Sequence, residues 1–566
     1  MKIVIVGGVA GGAGVAARLR RLDEHAEIVL FERGPHISYS NCCLPYYLGG
    51  VVESSESLLM TSPASFEKRF NVRVHVNAEV VSVDRAAHTV SVRKTDDGTT
   101  DTESYDKLVL ATGAAALRPA SIAGADGENV FTVKTVTDAV NLKRRLTETN
   151  AKRVAVVGGG FIGLETAENL KHASYEVILI EGTDQVMAPL DFDMAQILHK
   201  ELLDHDVELH LSTTVSAIRD GEIETVHNGE THTERVDATV LAIGVAPETR
   251  LAAEAGLSIG ETRGIRVAPD GQTSDPDIFA VGDVTETVSL LTGRPGRVPL
   301  AGPAQRQARN AADAILGRKA ENRGLLGSSC LKLFDLNVAA TGLNEKTAAA
   351  AGLSFDFAFA LPPDKVGIMP DSHYMAFKLL FERPGGRLLG AQAIGKGDAV
   401  RRIDVIAALL TKGGTLEDLK DLELCYSPAF GTARDIVNLA ALIGLNVLSG
   451  EMPQVHVSEV RRLVESGACI IDVREESEYR AGHLKGAKNI PLPQIRSRMT
   501  EIPRDVPVYL HCRTSQRSYY ALRILRGNGY TNVINISGSF LGVSLYEYYR
   551  DRSEGREPIL TAYNFR

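Results

Sequence analysis

Two cysteines at opposite ends of the chain sit in loops built for sulfur chemistry. Cys42 lies in Ser38-Tyr39-Ser40-Asn41-Cys42-Cys43-Leu44-Pro45, shortly after a glycine-rich turn, and Cys512 lies in His511-Cys512-Arg513-Thr514-Ser515-Gln516-Arg517-Ser518. The thiolate is the nucleophile in thiol exchange, and both loops read as places where a thiol can ionise. After Cys512 the chain is expected to curl its backbone N–H groups around the sulfur before a helix starting near Ser518; with Arg513 and Arg517 this would stabilise a thiolate or persulfide anion. Two such thiols in one chain point to two sulfur sites joined by one substrate. Cys330, Cys425 and Cys469 fall in apolar runs and are expected in the core, and His511 is expected to be structural. No CxxC or CxxxxC pair and no Cys/His cluster with metal spacing occurs, so neither structural disulfides nor a metal are expected. Disulfide chemistry at Cys42 then needs a second thiol from elsewhere, such as a small molecule.

The elements that must position these loops are legible nearby. Lys2 to Val6 is an apolar run followed by Gly7-Gly8-Val9-Ala10-Gly11-Gly12, an Ala-rich helical stretch through Leu22, and a second strand ending in Phe31-Glu32. This is a βαβ unit whose turn offers N–H groups and a helix N-terminus to a pyrophosphate, while Glu32 can accept from ribose hydroxyls. Val9 stands at the middle glycine position. The pattern recurs complete at Gly158-Gly159-Gly160-Phe161-Ile162-Gly163, between a strand at Val154 to Val157 and another at Val177 to Ile180 that leads to Glu181. Two units imply two dinucleotides brought face to face, and Ala111-Thr112-Gly113 and Val281-Gly282-Asp283 look like the strand-end motifs of flavoprotein reductases.

Length and composition bound the rest. A chain of 566 residues with 44% apolar residues supports three to four cores. A net charge of −9 with interspersed signs disfavours nucleic acid or an anionic membrane surface. The first residues enter directly into a strand, and no run of about 18 apolar residues occurs; a soluble, cytoplasmic protein is expected. Residues 323 to 448 read as α+β, with strands at Cys330 to Leu333, Tyr374 to Phe381 and Leu388 to Ala393 and helices at Val400 to Leu410 and Thr432 to Leu445. Ser449-Gly450-Glu451-Met452-Pro453 is the expected linker, flexible enough to serve as a tether. Beyond it, strands at Cys469 to Val473, Val508 to Cys512 and Val533 to Ile536 give a small parallel α/β domain; the tail after Arg552 carries no signal.

With both nucleotide motifs, the Asn41-Cys42-x-Leu44-Pro45 loop and Val281-Gly282-Asp283 in hand, residues 1 to about 448 resemble the coenzyme A-disulfide reductases, a single-cysteine branch of the FAD-dependent pyridine nucleotide-disulfide oxidoreductases. Through Asp472-Val473-Arg474, Gly482-His483-Leu484-x-Gly486-Ala487-x-Asn489-Ile490-Pro491 and the Cys512 loop, residues 453 to about 550 resemble a rhodanese domain. The resemblance implies an α/β fold of two Rossmann-like dinucleotide-binding domains, an α+β dimerisation domain and a C-terminal rhodanese-like domain: FAD on 1-115 and 271-322, NAD(P)H on 148-270, dimerisation by 323-448, rhodanese at 453-552.

It further implies FAD held by Gly7, Gly12, Glu32, Thr112 and Asp283, and the nicotinamide cofactor by Gly158, Gly160, Gly163 and Glu181. The acidic Glu181 would repel a 2′-phosphate, so NADH is expected over NADPH, which remains possible. Coenzyme A, as substrate or co-substrate, is implied near Arg18, Arg21, Ser38, Asn41 and Arg306; independently, Arg18 and Arg21 share a helix side and can bind phosphates or simply face solvent. A homodimer is implied, with Tyr426 reaching the partner's active site. Two positions depart from the family pattern: Cys43 follows the reactive cysteine where Gly or Ala is usual, and Ile368-Met369-Pro370 replaces a Tyr pair before Pro.

The resulting expectation is a reductase of coenzyme A persulfide, polysulfide or coenzyme A disulfide, releasing sulfide and coenzyme A, with the rhodanese domain relaying sulfane sulfur. Two alternatives stand beside it. One is an NADH oxidase or peroxidase cycling a cysteine sulfenic acid, disfavoured because those relatives carry His where this chain has Ala10. The other is a thiol redox sensor or sulfur carrier.

Overall fold

The structure, a computed structural model, describes residues 1–565. The chain divides into two compact units, Met1–Gly182 with Ser212–Leu325, and Thr183–Leu211 with Leu326 onward. Among the described residues no helix is long and apolar enough to cross a membrane.

In the first unit Lys2–Val6 lies at the centre of a five-stranded sheet in the order Ile278–Ala280, Lys107–Leu110, Lys2–Val6, Glu27–Phe31, Arg73–His75, every pair parallel. Ile3, Val4 and Ile5 are fully buried, as expected where both faces of a parallel sheet are covered and each strand must be apolar throughout. The helix Ala10–Leu22 covers one face through Val15, Ala16 and Leu19. A second parallel sheet runs Glu176–Ile180, Arg153–Val157, Ala238–Leu241, Val130–Phe131, with the helix Phe161–His172 after its central strand. In both sheets the glycine-rich turn sits at the carboxyl end of a central strand, where open α/β sheets bind ligands.

The second unit combines two sheets. One is antiparallel in the order Ser329–Leu333, Leu336–Gly342, Leu388–Gly395, Met375–Glu382, Phe355–Ala360, with helices Ala399–Leu410 and Ile436–Leu448. The other is parallel, Gln454–Val455, Val533–Ile536, Val508–His511, Cys469–Asp472, Lys488–Asn489. The segment Thr183–Leu211 packs here as well: its helix Phe192–Asp204 lays Phe192 edge-on against Tyr546, and Tyr549 donates to the Leu209 carbonyl.

Two expectations from the sequence are corrected, and one stretch without sequence signal is ordered. Ser449 to Pro453 is no flexible tether: Met452 is buried, Arg526 donates to the carbonyls of Gly450 and Glu451, and Asn535 N–H bonds the Pro453 carbonyl. Polar composition marked the segment as a loop, but its N–H groups bond back to the preceding helix and its carbonyls accept from the domain that follows. The tail after Arg552, which carries no sequence signal, is ordered over its described residues 553–565. Ile559 and Leu560 are buried, Leu484 bridges Leu560, and Asn564 accepts from Arg513. Finally, Cys330 and Cys425 are exposed and Cys469 is half-buried; on a strand, neighbours in an apolar run alternate faces, and Cys330 takes the outer one beside buried Leu331.

Candidate active sites

The first site is a cavity of about 350 Å³ lined by the glycine-rich turn, Glu32, Asn41, Thr112, Lys134 and Asp283. Gly7 has φ +100°, and a Cβ there would lie 2.2 Å from the Ala111 carbonyl oxygen; one on Gly12 would lie 1.8 Å from the Gly7 oxygen. Side chains are thus excluded and the backbone can approach a pyrophosphate. Val9 needs no such freedom, with φ −95°. Glu32 accepts from Gly8 and Gly34 N–H at 2.8 Å each, fixing its carboxylate at the end of its strand. Thr112 gives its hydroxyl to the Glu248 carbonyl, and Asp283 lies 3.5 Å from Lys134. The second turn repeats the design: Gly158 has φ +108° with its virtual Cβ 2.5 Å from the Ala242 oxygen, Gly163 closes on Gly158, and Gly160 faces open space. Glu181 accepts from Gly159 N–H at 2.7 Å. Both cradles fit a dinucleotide, the glycines admitting phosphate and the fixed carboxylates facing where a ribose would lie.

Cys42 is the middle residue of the short 3-10 turn Asn41–Cys43, ahead of the helix Leu44–Leu48. Ser38, four residues earlier, holds a left-handed φ of 45° with its N–H on the Gly8 carbonyl, so the reactive loop is tied directly to the glycine turn. Strained backbone of this kind costs about 1–3 kcal/mol and persists where surrounding structure imposes it. Cys42 Sγ lies 3.8 Å from Asn41 Oδ1.

The Cys42 thiol, expected to be able to ionise, is made harder to ionise by its surroundings. Although the side chain meets solvent, surrounding protein desolvates it, and this, followed by the Glu165 carboxylate and Cys43, pushes the thiol up; Lys134 opposes. Glu165 itself is pushed up to about 7 by burial and by Glu168, with a hydrogen bond to Tyr46 working the other way. Sequence reasoning passed over Glu165. The available signal was Glu165 and Glu168 at i, i+3 on a helix whose neighbours Leu164 and Ala167 are wholly buried.

Of the residues assigned to coenzyme A, Ser38 and Asn41 stand in the Cys42 loop. Arg18 makes a two-nitrogen contact with Asp313 Oδ1 at 2.9 and 2.6 Å, while Arg21 and Arg306 are exposed.

The second site lies in the second unit, at the carboxyl end of the central strand Val508–His511. Cys512 is 1% exposed and forms the floor of a cavity of about 310 Å³ walled by Tyr374, Glu478, Arg513, Thr514, Gln516 and Arg517. The following helix starts at Gln516, two residues earlier than expected, because Ser515 takes a left-handed φ of 76° as its N-cap. Around the sulfur the groups in reach are hydroxyls: Ser518 at 3.7 Å and Ser539 at 4.0 Å. Asn535 Oδ1, 2.6 Å from the Ser518 hydroxyl, holds it, and Ser539 also accepts from Cys512 N–H. Arg517 forms a fork with both Glu478 oxygens at 2.6 and 2.7 Å. His511 is fully buried, and burial pulls its pKa down, so it stays neutral. Beneath it Arg474 pairs with Asp472 and lies 4.1 Å over the Phe540 ring. Ser539, Asn535, Glu478 and Tyr374 were not anticipated, since they come from elements distant in sequence.

Tyr426 is 50% exposed on a loop without regular structure, near exposed Phe430. Buried Arg402 donates to the carbonyls of Asp364 and Phe430, binding that loop to the one carrying exposed Ile368.

These two dinucleotide cradles, the thiol beside the first, and a parallel α/β domain ending in a cysteine loop define a disulfide-type flavoprotein reductase with an appended sulfurtransferase fold. The chain matches the pyridine nucleotide-disulphide oxidoreductase family over residues 1–308, that family's dimerisation domain over 328–435, and the rhodanese-like domain over 456–545. It belongs to the coenzyme A disulfide reductase-like pyridine nucleotide-disulphide oxidoreductases that carry a C-terminal rhodanese domain, and is a flavoprotein oxidoreductase. Its fold superposes on the reduced Bacillus anthracis CoADR-RHD with TM-score 0.93 at 39% identity, covering 97% of this chain and 98% of that one. A NAD-dependent persulfide reductase from A. fulgidus gives TM-score 0.90 at 34% identity over 95% and 99%. Coenzyme A disulfide reductase of Staphylococcus epidermidis is 31% identical over 77% of this chain and 98% of its own length, and an NADH oxidase of Methanocaldococcus jannaschii 32% over 80% and 100%.

Proposed function

We propose that the protein is an NADH-dependent reductase of coenzyme A persulfide or polysulfide, and of coenzyme A disulfide, that releases sulfide and coenzyme A, with the rhodanese domain supplying sulfane sulfur. The observation that carries this reading is the pairing of Cys42, tied by Ser38 to a dinucleotide cradle, with Cys512 in a hydroxyl-lined sulfur pocket of the same chain.

FAD, bound along Gly7, Gly12, Glu32, Thr112 and Asp283, would supply the passage of an electron pair from NADH to sulfur. Gly158, Gly160, Gly163 and Glu181 hold the NADH, and the Glu181 carboxylate disfavours a 2′-phosphate. Cys42 attacks the outer sulfur of coenzyme A persulfide: a new Cys42–sulfur bond forms, the bond to coenzyme A breaks, and the coenzyme leaves as its thiolate. With coenzyme A disulfide the same attack leaves a mixed disulfide at Cys42. Two electrons from NADH then release sulfide or coenzyme A and restore the thiol. Arg18, Arg21, Ser38, Asn41 and Arg306 are the proposed contacts of coenzyme A; Arg18 has to share its guanidinium with Asp313. Cys512, with Arg513 and Arg517, takes sulfane sulfur from a donor and passes it to coenzyme A. The exposed Tyr426 loop supports a homodimer in which Tyr426 serves the partner's Cys42 site.

The test is a panel of coenzyme A persulfide, coenzyme A disulfide, polysulfide and elemental sulfur, followed by NADH loss and sulfide release. Cys42→Ser should abolish reduction on all of them while NADH still reduces the bound flavin; if Cys43→Ser loses activity and Cys42→Ser keeps it, the nucleophile is misassigned.

The M. jannaschii relative, an NADH oxidase, supports a second reading in which dioxygen is the acceptor. Ala10, lining the first cavity, offers no acid–base group there. Oxygen uptake matching NADH loss, without sulfide, would favour the oxidase.

A further inference from the structure

Tyr374 stands just before the strand Met375–Glu382 of the antiparallel sheet, far in sequence from the rhodanese-like region at 456–545, yet it lines the Cys512 cavity. Its backbone is pinned by a bridge to Pro363. The Arg513 guanidinium carbon lies 6.0 Å from the Tyr374 ring centroid, and the two side chains share the wall of the cavity. On its other side Arg513 donates from Nη1 to the Asn564 carbonyl at 2.9 Å and lies 6.0 Å from the Phe540 ring centroid. Arg513 is only 9% exposed, so its orientation is set by surrounding protein and not by solvent. Across the cavity Arg517 is forked onto Glu478. A rigid guanidinium held at the rim of a small cavity with a thiol at its floor matches a small anion carrying a transferable sulfur.

We propose that Tyr374 is a positioning and specificity-determining residue for sulfur transfer at Cys512, aiming Arg513 at a small anionic donor of the thiosulfate class, so that the sulfurtransferase site is completed by the dimerisation region. This rests on the reading of Cys512 as the sulfur carrier. In that step the Cys512 thiolate attacks the outer sulfur of thiosulfate, the sulfur–sulfur bond breaks, and sulfite leaves with the bonding pair. Cyanide then removes the carried sulfur as thiocyanate and regenerates the thiolate.

The experiment uses the full-length protein, thiosulfate as donor and cyanide as acceptor, and reads thiocyanate. Tyr374→Leu should raise KM for thiosulfate about tenfold, the effect of losing both the aromatic face beside a largely buried guanidinium and the hydroxyl, with kcat changed less than about twofold. Tyr374→Phe, which keeps the ring, should raise it about threefold and serves if the Leu variant folds poorly. In an Arg513→Ala background both substitutions should add little, since Tyr374 acts through Arg513. Unchanged KM in both single variants, or effects that multiply fully with Arg513→Ala, overturn the proposal. Full transfer by Cys512→Ser would instead overturn the carrier reading on which it rests, and is distinguishable because the other outcomes presuppose a Cys512-dependent rate.

Discussion

Among individual residues, the environment of Cys42 decides when its thiol reacts. Burial and the Glu165 carboxylate raise its pKa, and Glu165, pushed up to about 7, gains most of its charge as pH rises through neutrality. Alkylation of Cys42 by iodoacetamide should therefore rise with pH through a midpoint above that of a free thiol, about 8.5. Glu165→Gln removes the repelling charge in that window and should move the midpoint down; an unchanged midpoint would show that burial alone sets it. Glu181 is the second residue with a sharp consequence. With its carboxylate fixed by Gly159 N–H, catalytic efficiency should favour NADH over NADPH, and Glu181→Ala should narrow the ratio; equal efficiencies in the unmodified protein would refute the assignment.

Secondary-structure elements are held together by buried charge as well as by apolar surface. Lys378, fully buried on Met375–Glu382, lies within 3.1 Å of Asp191 and 2.8 Å of Asp193 and also meets Glu345. Burial pulls its pKa down, but Asp193, Asp191 and Glu345 outweigh that, so it stays charged. The three carboxylates form an acidic cluster that the ammonium compensates. Lys378→Met should cost about 3–5 kcal/mol, as expected when one partner of a buried ionic network is removed, read as a lowered denaturant midpoint. A loss under about 1 kcal/mol would mean that the carboxylates find protons or solvent more easily than their burial implies.

Across the whole molecule, the second unit joins the dimerisation and rhodanese-like regions without a loose joint. Gln454 donates to the Phe357 carbonyl, His456 stacks on Phe357 at 3.9 Å, and a Cβ on Gly538 would lie 2.7 Å from the Phe359 ring. In native-state hydrogen exchange the amides of Gln454 and Val455 should be protected comparably with the flanking sheets, and the two regions should lose structure together. Early exchange there, or separate melting of the rhodanese-like region, would restore the tether picture.

The parallel sheets, both glycine cradles, Glu32, Glu181 and the two cysteine loops were legible in the sequence because each rests on local rules: an apolar run for a doubly covered strand, glycine where a carbonyl leaves no room for Cβ, an acid at the end of the next strand. Strand bounds at Lys2–Val6 and Val533–Ile536 follow from short runs dominated by Ile and Val. What the sequence could not reveal depends on residues far apart along the chain. Glu165 reaches Cys42, Tyr374 and Asn564 reach Arg513, and Ser539 reaches the sulfur of Cys512 only after the sheets have stacked. The pKa of Cys42, the burial of Cys512, the exposure of Cys330 and Cys425, and the docking of Ser449 to Pro453 are decided by desolvation and by pairing partners. Those are properties of the packed chain, and no local pattern of residues encodes them.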